Sequence, residues 1–256
     1  MAEEILCATK DGIATVTMNR PEKRNALNTA LLDGLTNIFR QLETNAEVRV
    51  VVIRGEGKAF CSGLDLRELS SRQTGGDPET GVTKIFQQIE RSRHPTIAMV
   101  QGDALAGGCE LALHCDLRVA ADAARFGMPL ARLGLVVPFP LGHKLVEIIG
   151  PAFTKQILLT GQPIDAKRAY EIGMIHQLVS ASELEAATYA LARTIADNAP
   201  LSLAGMKATV LRAVSLRETI NHQDLNEMVN RARKSADARE GVKAMLEKRK
   251  PAFRGE

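Results

Sequence analysis

In the stretch Gln101-Gly-Asp-Ala-Leu-Ala-Gly-Gly-Cys-Glu-Leu-Ala-Leu-His-Cys-Asp116, two glycines open an apolar helix whose fourth position, Glu110, is a carboxylate. An extended run, Pro95-Thr-Ile-Ala-Met-Val100, precedes it, so the segment reads as strand, Gly-rich turn, then helix. A helix start of this kind presents free N–H groups that can hold an oxyanion. The helix dipole also favours an acid in the first turn, and glycines also permit close packing, so this stretch alone leaves a structural reading open.

A second segment has the same form. Gly57-Lys-Ala-Phe-Cys-Ser-Gly-Leu-Asp-Leu66 follows the apolar run Val48-Arg-Val-Val-Val-Ile53, again a strand leading into a glycine turn. Together the two turns can bring the backbone N–H groups of Leu64 and Gly107 to one point, as a carbonyl-polarising pair requires.

With these motifs in place the chain resembles the crotonase superfamily, also called the enoyl-CoA hydratase/isomerase family. Four segments carry the resemblance in order: Asn19-Arg-Pro-Glu-Lys-Arg-Asn-Ala-Leu-Asn28, Ala59–Asp65, Gly107–Ala112 with Cys115-Asp116, and Ala238–Phe253. The resemblance implies an α/β fold, a spiral of β-β-α turns with a helical C-terminal region. It divides the chain into an acyl-CoA-binding core over 1–195 and a trimerisation region over 196–256, with homotrimers that pair into hexamers.

The resemblance also assigns roles. The N–H groups of Leu64 and Gly107 form the oxyanion hole for a thioester oxygen, and Glu110 matches one of the two glutamates that hydratases of the family use on water and the α-carbon. A carboxylate among Leu111, Ala112 and Leu113 should have a raised pKa, which suits proton exchange near neutrality. Arg24, Asn25 and Ala26 match the turn along the CoA nucleotide, Ser62, Asp65 and Leu66 match the adenine and pantetheine groove, and Lys248 and Phe253 match C-terminal nucleotide contacts. Asp65 and Asp116 also admit structural roles, as caps or as partners of arginines such as Arg118.

The chain departs from the pattern at one position that matters. The family's hydratases place their second glutamate after the Pro of a Phe-Gly-x-Pro segment, and here Phe126-Gly-Met-Pro-Leu130 puts Leu130 there. Leu130, Leu135, Val137 and Phe139, stiffened by Pro138 and Pro140, are expected to form an apolar acyl wall. Three chemistries fit a lone carboxylate: an enoyl-CoA hydratase, a double-bond isomerase, and a malonyl-type decarboxylase in which loss of carbon dioxide makes the enolate without a base. The other class is a non-catalytic CoA- or RNA-binding relative. Its basic clusters, Arg231-Ala-Arg-Lys234 and Lys248-Arg-Lys250, lack interleaved aromatics, so no nucleic-acid partner is expected.

Composition is consistent with a globular enzyme. The 256 residues are 45% hydrophobic and 25% charged with a net charge of +3, which disfavours disorder, fibres and a large polyanion partner. No apolar run approaches 18 residues and the N-terminus lacks a charged-then-apolar leader, so a cytoplasmic location is expected. Cys7, Cys61, Cys109 and Cys115 have no Cys-x-x-Cys spacing and read as free thiols. Cys109, His114 and Cys115 invite a metal site, but at about 100° per residue Cys109 lies far round the helix from the other two, and no metal is expected. Nor is any cofactor expected beyond the CoA moiety of the substrate.

Punctuation sets the remaining elements. Ile5–Thr9 and Ile13–Met18 flank a Lys-Asp-Gly hairpin signal, Thr29 is a helix cap, and the helix runs to about Glu43. A polar loop over 70–79 precedes a helix of about 82–93, and Asp116–Ala120 is a further strand. After Pro138 the chain reads as helices alone, with Leu203, Met206, Val210 and Val214 forming an apolar stripe that is at least as well explained by plain core as by a subunit contact.

Overall fold

The computed structural model describes residues 3–71, 78–214 and 223–254. Strands β1 (Ile5–Lys10) and β2 (Ile13–Met18) form the expected hairpin. Its turn residues Asp11 and Gly12 have φ of 51° and 77°, the positive values that a tight two-residue turn demands. Helix α1 (Thr29–Thr44) follows, but its cap is Asn28, whose side chain accepts from the Leu31 N–H at 2.9 Å. Thr29 is therefore the first helical residue rather than the cap, because Asn28 has the extended backbone that a cap needs.

Next come β3 (Val50–Gly55), α2 (Leu66–Ser71), α3 (Pro78–Arg91), β4 (Thr96–Val100), β5 (Ala104–Leu105) and α4 (Gly107–His114). Helix α3 starts earlier than the expected 82, at a proline suited to a first turn. The middle of the loop expected over 70–79, residues 72–77, lies outside the described residues. Then follow β6 (Leu117–Ala121), β7 (Arg125–Gly127), a 3-10 turn at Pro129–Leu133, α5 (Phe139–Thr160), β8 (Ile164–Asp165), α6 (Ala166–Glu171) and β9 (Gln177–Val179). Among the described residues four helices follow: α7 (Leu184–Ala196), α8 (Pro200–Val214), α9 (Gln223–Lys234) and α10 (Ala236–Leu246). The stretch after Pro138 is therefore not helical throughout. β8 and β9 are too short to announce themselves by alternation, and α5 is bent where Gly150, at φ 72°, precedes Pro151.

The main sheet has the order β1-β2-β3-β4-β6-β9, parallel from β2 onward. Its central strands are apolar on both faces, as a sheet covered on both sides must be. Val51, Ile53, Ala98 and Val100 face a core shared with α1, α3, α4 and α5, whereas Val50, Val52, Ile97 and Met99 face α7. A second, small sheet runs β5-β7-β8, and isolated parallel bridges join Leu27 to Leu64 and Cys61 to Ala104. Successive turns of chain thus place a strand in the main sheet, a short extended segment in the second layer, and a helix outside: β3 with 61–64 and α3, β4 with β5 and α4, β6 with β7 and α5. This is the expected mixed α/β spiral.

Two contacts help to attach α8 and α10. Lys207 on α8 donates to Asp116 Oδ2 at 2.7 Å and to the His94 carbonyl at 3.1 Å. Helix α10 rests on the Pro129–Leu133 turn so closely that a Cβ at Gly241 would meet the Leu133 backbone within about 2.6 Å. The plain-core reading of the α8 stripe fails: α8 buries no residue, and Met206 and Val210 are 66% and 63% exposed. Asp116 pairs with Lys207 and not with an arginine, while Asp65 pairs with Arg20 at 3.2 Å.

Candidate active site

The two glycine turns meet. Cys61 donates its N–H to Asp103 O at 3.1 Å and accepts on its carbonyl from Leu105 N–H at 3.0 Å, which lays residues 61–64 along β5. Gly63, at φ 94°, sits so near the start of α4 that a Cβ there would lie 2.9 Å from Ala106 Cβ and 3.1 Å from Gly107 N. From the other side, a Cβ at Gly107 would be 3.7 Å from Leu64 N. The two N–H groups singled out from sequence are therefore neighbours across a junction that tolerates no side chain at 63.

Hydrogen bonding singles out the same pair. Gly63 N–H points to Cys61 Sγ, Asp65 N–H to Leu27 O at 3.0 Å, and Ala106 N–H to Gly127 O at 2.8 Å. Among the described residues, the N–H groups of Leu64 and Gly107 meet no acceptor. Between them Ala106, the N-cap of α4, is held at φ 49° and ψ −123°. A non-glycine residue costs about 1–3 kcal/mol in such a region, strain of the kind that gathers where backbone is aimed at a ligand.

Glu110 lies one turn into α4 and is fully buried, and neither carboxylate oxygen has a hydrogen-bond partner. Burial pushes its carboxyl well above the ordinary carboxylate range, and only the charge of Lys144 opposes this. A buried acid left unpaired costs stability, so its retention needs a chemical reason. The arrangement can polarise a carbonyl at the paired N–H groups and hold or release a proton beside it.

The matches to known proteins agree with this geometry. A model of the family described as enoyl-CoA hydratase/isomerase matches residues 8–256. The chain belongs to the enoyl-CoA hydratase/isomerase family. It is 34% identical to a short-chain-enoyl-CoA hydratase from Clostridium acetobutylicum over 94% of both chains, and 29% identical to a 2,3-dehydroadipyl-CoA hydratase from Escherichia coli over 98% of this chain and 99% of that one. Among solved structures, a methylmalonyl-CoA decarboxylase in complex with 2-nitronate-propionyl-CoA superposes with a TM-score of 0.91 at 30% identity, covering 98% of each chain.

The residues matched to the CoA contacts of the enoyl-CoA hydratase/isomerase family fall into two groups. Arg24–Ala26 and Ser62–Leu66 lie side by side, laced by Ser62 N–H on Arg24 O at 3.0 Å and Leu27 N–H on Gly63 O at 2.8 Å. Arg24 is exposed, whereas Asn25 is buried and spends its side chain on Arg20 N–H, Glu56 O and Ala59 O. Asp65 also turns inward, accepting from Arg20 and from Arg67 N–H. Lys248 and Phe253 belong to the segment after α10, which folds back so that Ala252 N–H reaches Glu240 at 3.0 Å.

The expected acyl wall is divided. Leu130 and Val137 are half-buried against the main core, and Leu135 donates its N–H to Leu130 O. Phe139 instead stacks on His143, with ring centroids 5.6 Å apart, and lines a cavity at the C-terminal end of α4. His114 also borders that cavity, together with Glu90, Lys144 and Glu147. In the sequence His114 stands out only as a metal ligand. The overlooked signal was its i, i+4 spacing from Glu110, which puts both on one helix face.

Proposed function

We propose that the chain hydrates an enoyl-CoA thioester and catalyses the reverse dehydration, with Glu110 as its single proton carrier. The thioester oxygen accepts hydrogen bonds from Leu64 N–H and Gly107 N–H, which draws electron density from the conjugated double bond. Glu110 takes a proton from water as the water oxygen bonds to the β-carbon. The resulting enolate is held by the two N–H groups until Glu110 returns the proton to the α-carbon. A donor of this kind is worth about 3–4 kcal/mol of barrier, because it meets charge that exists only along the reaction path.

The observation that carries this reading is the pairing of two neighbouring N–H groups lacking acceptors with a buried, unpartnered carboxylate on the same helix. Arg24, Asn25, Ala26, Ser62, Asp65 and Leu66 form the CoA strap, joined by Lys248 and Phe253, and Leu130, Leu135 and Val137 line the acyl side without Phe139. No further cofactor takes part. A homotrimer or hexamer fits the apolar face of α8, where Leu201 is 89% exposed. Four free thiols suit a cytoplasmic protein.

Decarboxylation of a malonyl-type thioester is the second reading, favoured by Leu130 in place of an acid and by the likeness to methylmalonyl-CoA decarboxylase. Crotonyl-CoA separates the two. Loss of its conjugated absorbance with the wild type, slowed about 10²–10⁴-fold in Glu110→Gln, is the expected result. No loss of absorbance, with carbon dioxide released from a malonyl-type thioester, would replace hydration by decarboxylation.

A further inference from the structure

At the C-terminal end of α4, away from the oxyanion-hole turns at its start, α3, α5 and α8 line a cavity of about 530 Å³. Its polar wall includes Gln87, Glu90, His114, His143, Lys144 and Glu147, with Arg91 and Arg212, and none of Leu64, Gly107 and Leu130 lines it. His114 is the α4 residue on this wall, and it stands close to Glu110: Nδ1 is 4.0 Å from Glu110 Oε2 and 2.8 Å from the Glu110 carbonyl. A carbonyl only accepts, so Nδ1 carries the hydrogen and Nε2 is left as an acceptor. Among the described residues, no donor meets that Nε2. Lys144, the other cation within influence of Glu110, is already held by Glu90 at 2.5 Å and Glu147 at 2.9 Å.

We propose that His114 is a positioning residue that lets Glu110 ionise by taking a proton from the cavity at Nε2, so that carboxylate and imidazolium form together. The inference rests on Glu110 being the proton carrier proposed above. The bookkeeping of protons is closed: as Glu110 gives up its proton to the α-carbon, Nε2 takes one from a hydronium ion or buffer acid reaching the cavity. The Nδ1–H then turns from the Glu110 carbonyl toward Oε2, closing a gap of about 1 Å, and neither oxygen of Glu110 has another hydrogen bond to break. When Glu110 is reprotonated, Nε2 returns its proton to the cavity. A buried carboxylate needs such a partner, since an uncompensated charge in a dry site is far more costly than a pair.

The surroundings favour a paired switch. Burial holds the imidazole below its ordinary range while Glu90 and Glu147 favour its charged form and Lys144 opposes it, and burial holds Glu110 above its range. Burial thus opposes either charge alone, and the two charges offset each other as a pair. The charged and titratable groups around His114 are Glu110 on its own helix, Glu90 and Arg91 on α3, His143, Lys144 and Glu147 on α5, and Arg212 on α8, with Arg118 of β6 donating to the Ala112 and Cys115 carbonyls.

Infrared titration of the protonated carboxyl band of Glu110, with Glu110→Gln as the blank, tests the pairing whether or not the protein hydrates crotonyl-CoA. His114→Gln keeps an N–H for the Glu110 carbonyl but cannot take a proton, and it should hold the band to a pH about one unit or more above that of the wild type. In His114→Ala, imidazole entering the enlarged cavity should move the band back. In the hydration assay the same substitution should lower kcat and shift the acid limb of its pH profile upward, with little change in KM. A Glu110 band that titrates alike in wild type, His114→Gln and His114→Ala would overturn the proposal and leave His114 a packing partner of Phe86. Loss of hydration in the wild type with the band shift intact would remove the hydratase reading and keep the pair.

Discussion

The two ends of α4 hold two carboxylates under opposite conditions. Asp116, just beyond the C-terminal end, accepts from Thr96 N–H at 2.7 Å, Thr96 Oγ1 at 2.9 Å and Lys207 Nζ at 2.7 Å. Arg118 beside it donates to the Ala112 and Cys115 carbonyls, satisfying groups that a helix end leaves open. Glu110, in the first turn, has no hydrogen bond on either oxygen, and the strained Ala106 precedes it. One end is saturated and anchors α8; the other is left wanting, and there the proposed chemistry sits.

The sharpest way to break this contrast is Gly63→Ala. The added methyl would press on Ala106 Cβ and Gly107 N, at a φ of 94° that alanine rarely adopts. Spreading the paired N–H groups should cost about 10²–10³ in kcat, the loss associated with one oxyanion donor. Turnover measured beside thermal stability would show a fall in rate exceeding the fall in folded protein.

Next in size is a pair of neutralised acids. Asp116→Asn should destabilise by about 1–3 kcal/mol, because it loses a charged partner that Lys207 needs. Glu110→Gln should do the reverse. The folded-state pKa of Glu110 is raised, so the folded form holds a proton that the unfolded chain releases above the ordinary carboxylate range, and wild-type stability falls as pH rises through that interval. The variant lacks this slope. Denaturant titrations at pH 5 and 8 should therefore show its advantage widening with pH, and an advantage that narrows would contradict the burial argument.

The smallest effect belongs to His176, beyond the saturated end, whose Nδ1 accepts from Arg118 N–H at 3.1 Å. Burial, aided by the Arg118 charge, lowers its pKa to about 4. The unfolded chain binds the proton first as pH falls, so stability present above about pH 6.5 declines toward pH 4. His176→Asn keeps an acceptor without the titration and should flatten that acid slope modestly, as exposure dilutes the effect.

Much of this was legible in the sequence because it rests on local patterns. The runs at 13–18, 48–53 and 95–100 are strands within two residues of expectation, and the glycine turns identify Leu64 and Gly107 because backbone donors depend on spacing and not on side-chain identity. What escaped notice depends on distant contacts. Nothing in Ala106 signals its positive φ, which Gly127 and the 61–64 segment impose. The exposure of the α8 stripe is set by what does not pack on it. The cavity at His114 is assembled from α3, α5 and α8, and the first and last of these lie more than a hundred residues apart in the chain.

The fit of α10 against the Pro129–Leu133 turn reaches further than its size suggests. Gly241 meets the Leu133 backbone with no room for a methyl group, and Leu130 lies on the same turn. A side chain at 241 cannot be absorbed by a flexible neighbour, so it arrives at Leu130 as a displacement. With Leu130 on the proposed acyl side, the choice of acyl group is open to adjustment from the tail of the chain, and a search for altered substrate range has reason to sample residues 237–241 alongside those proposed to face the thioester.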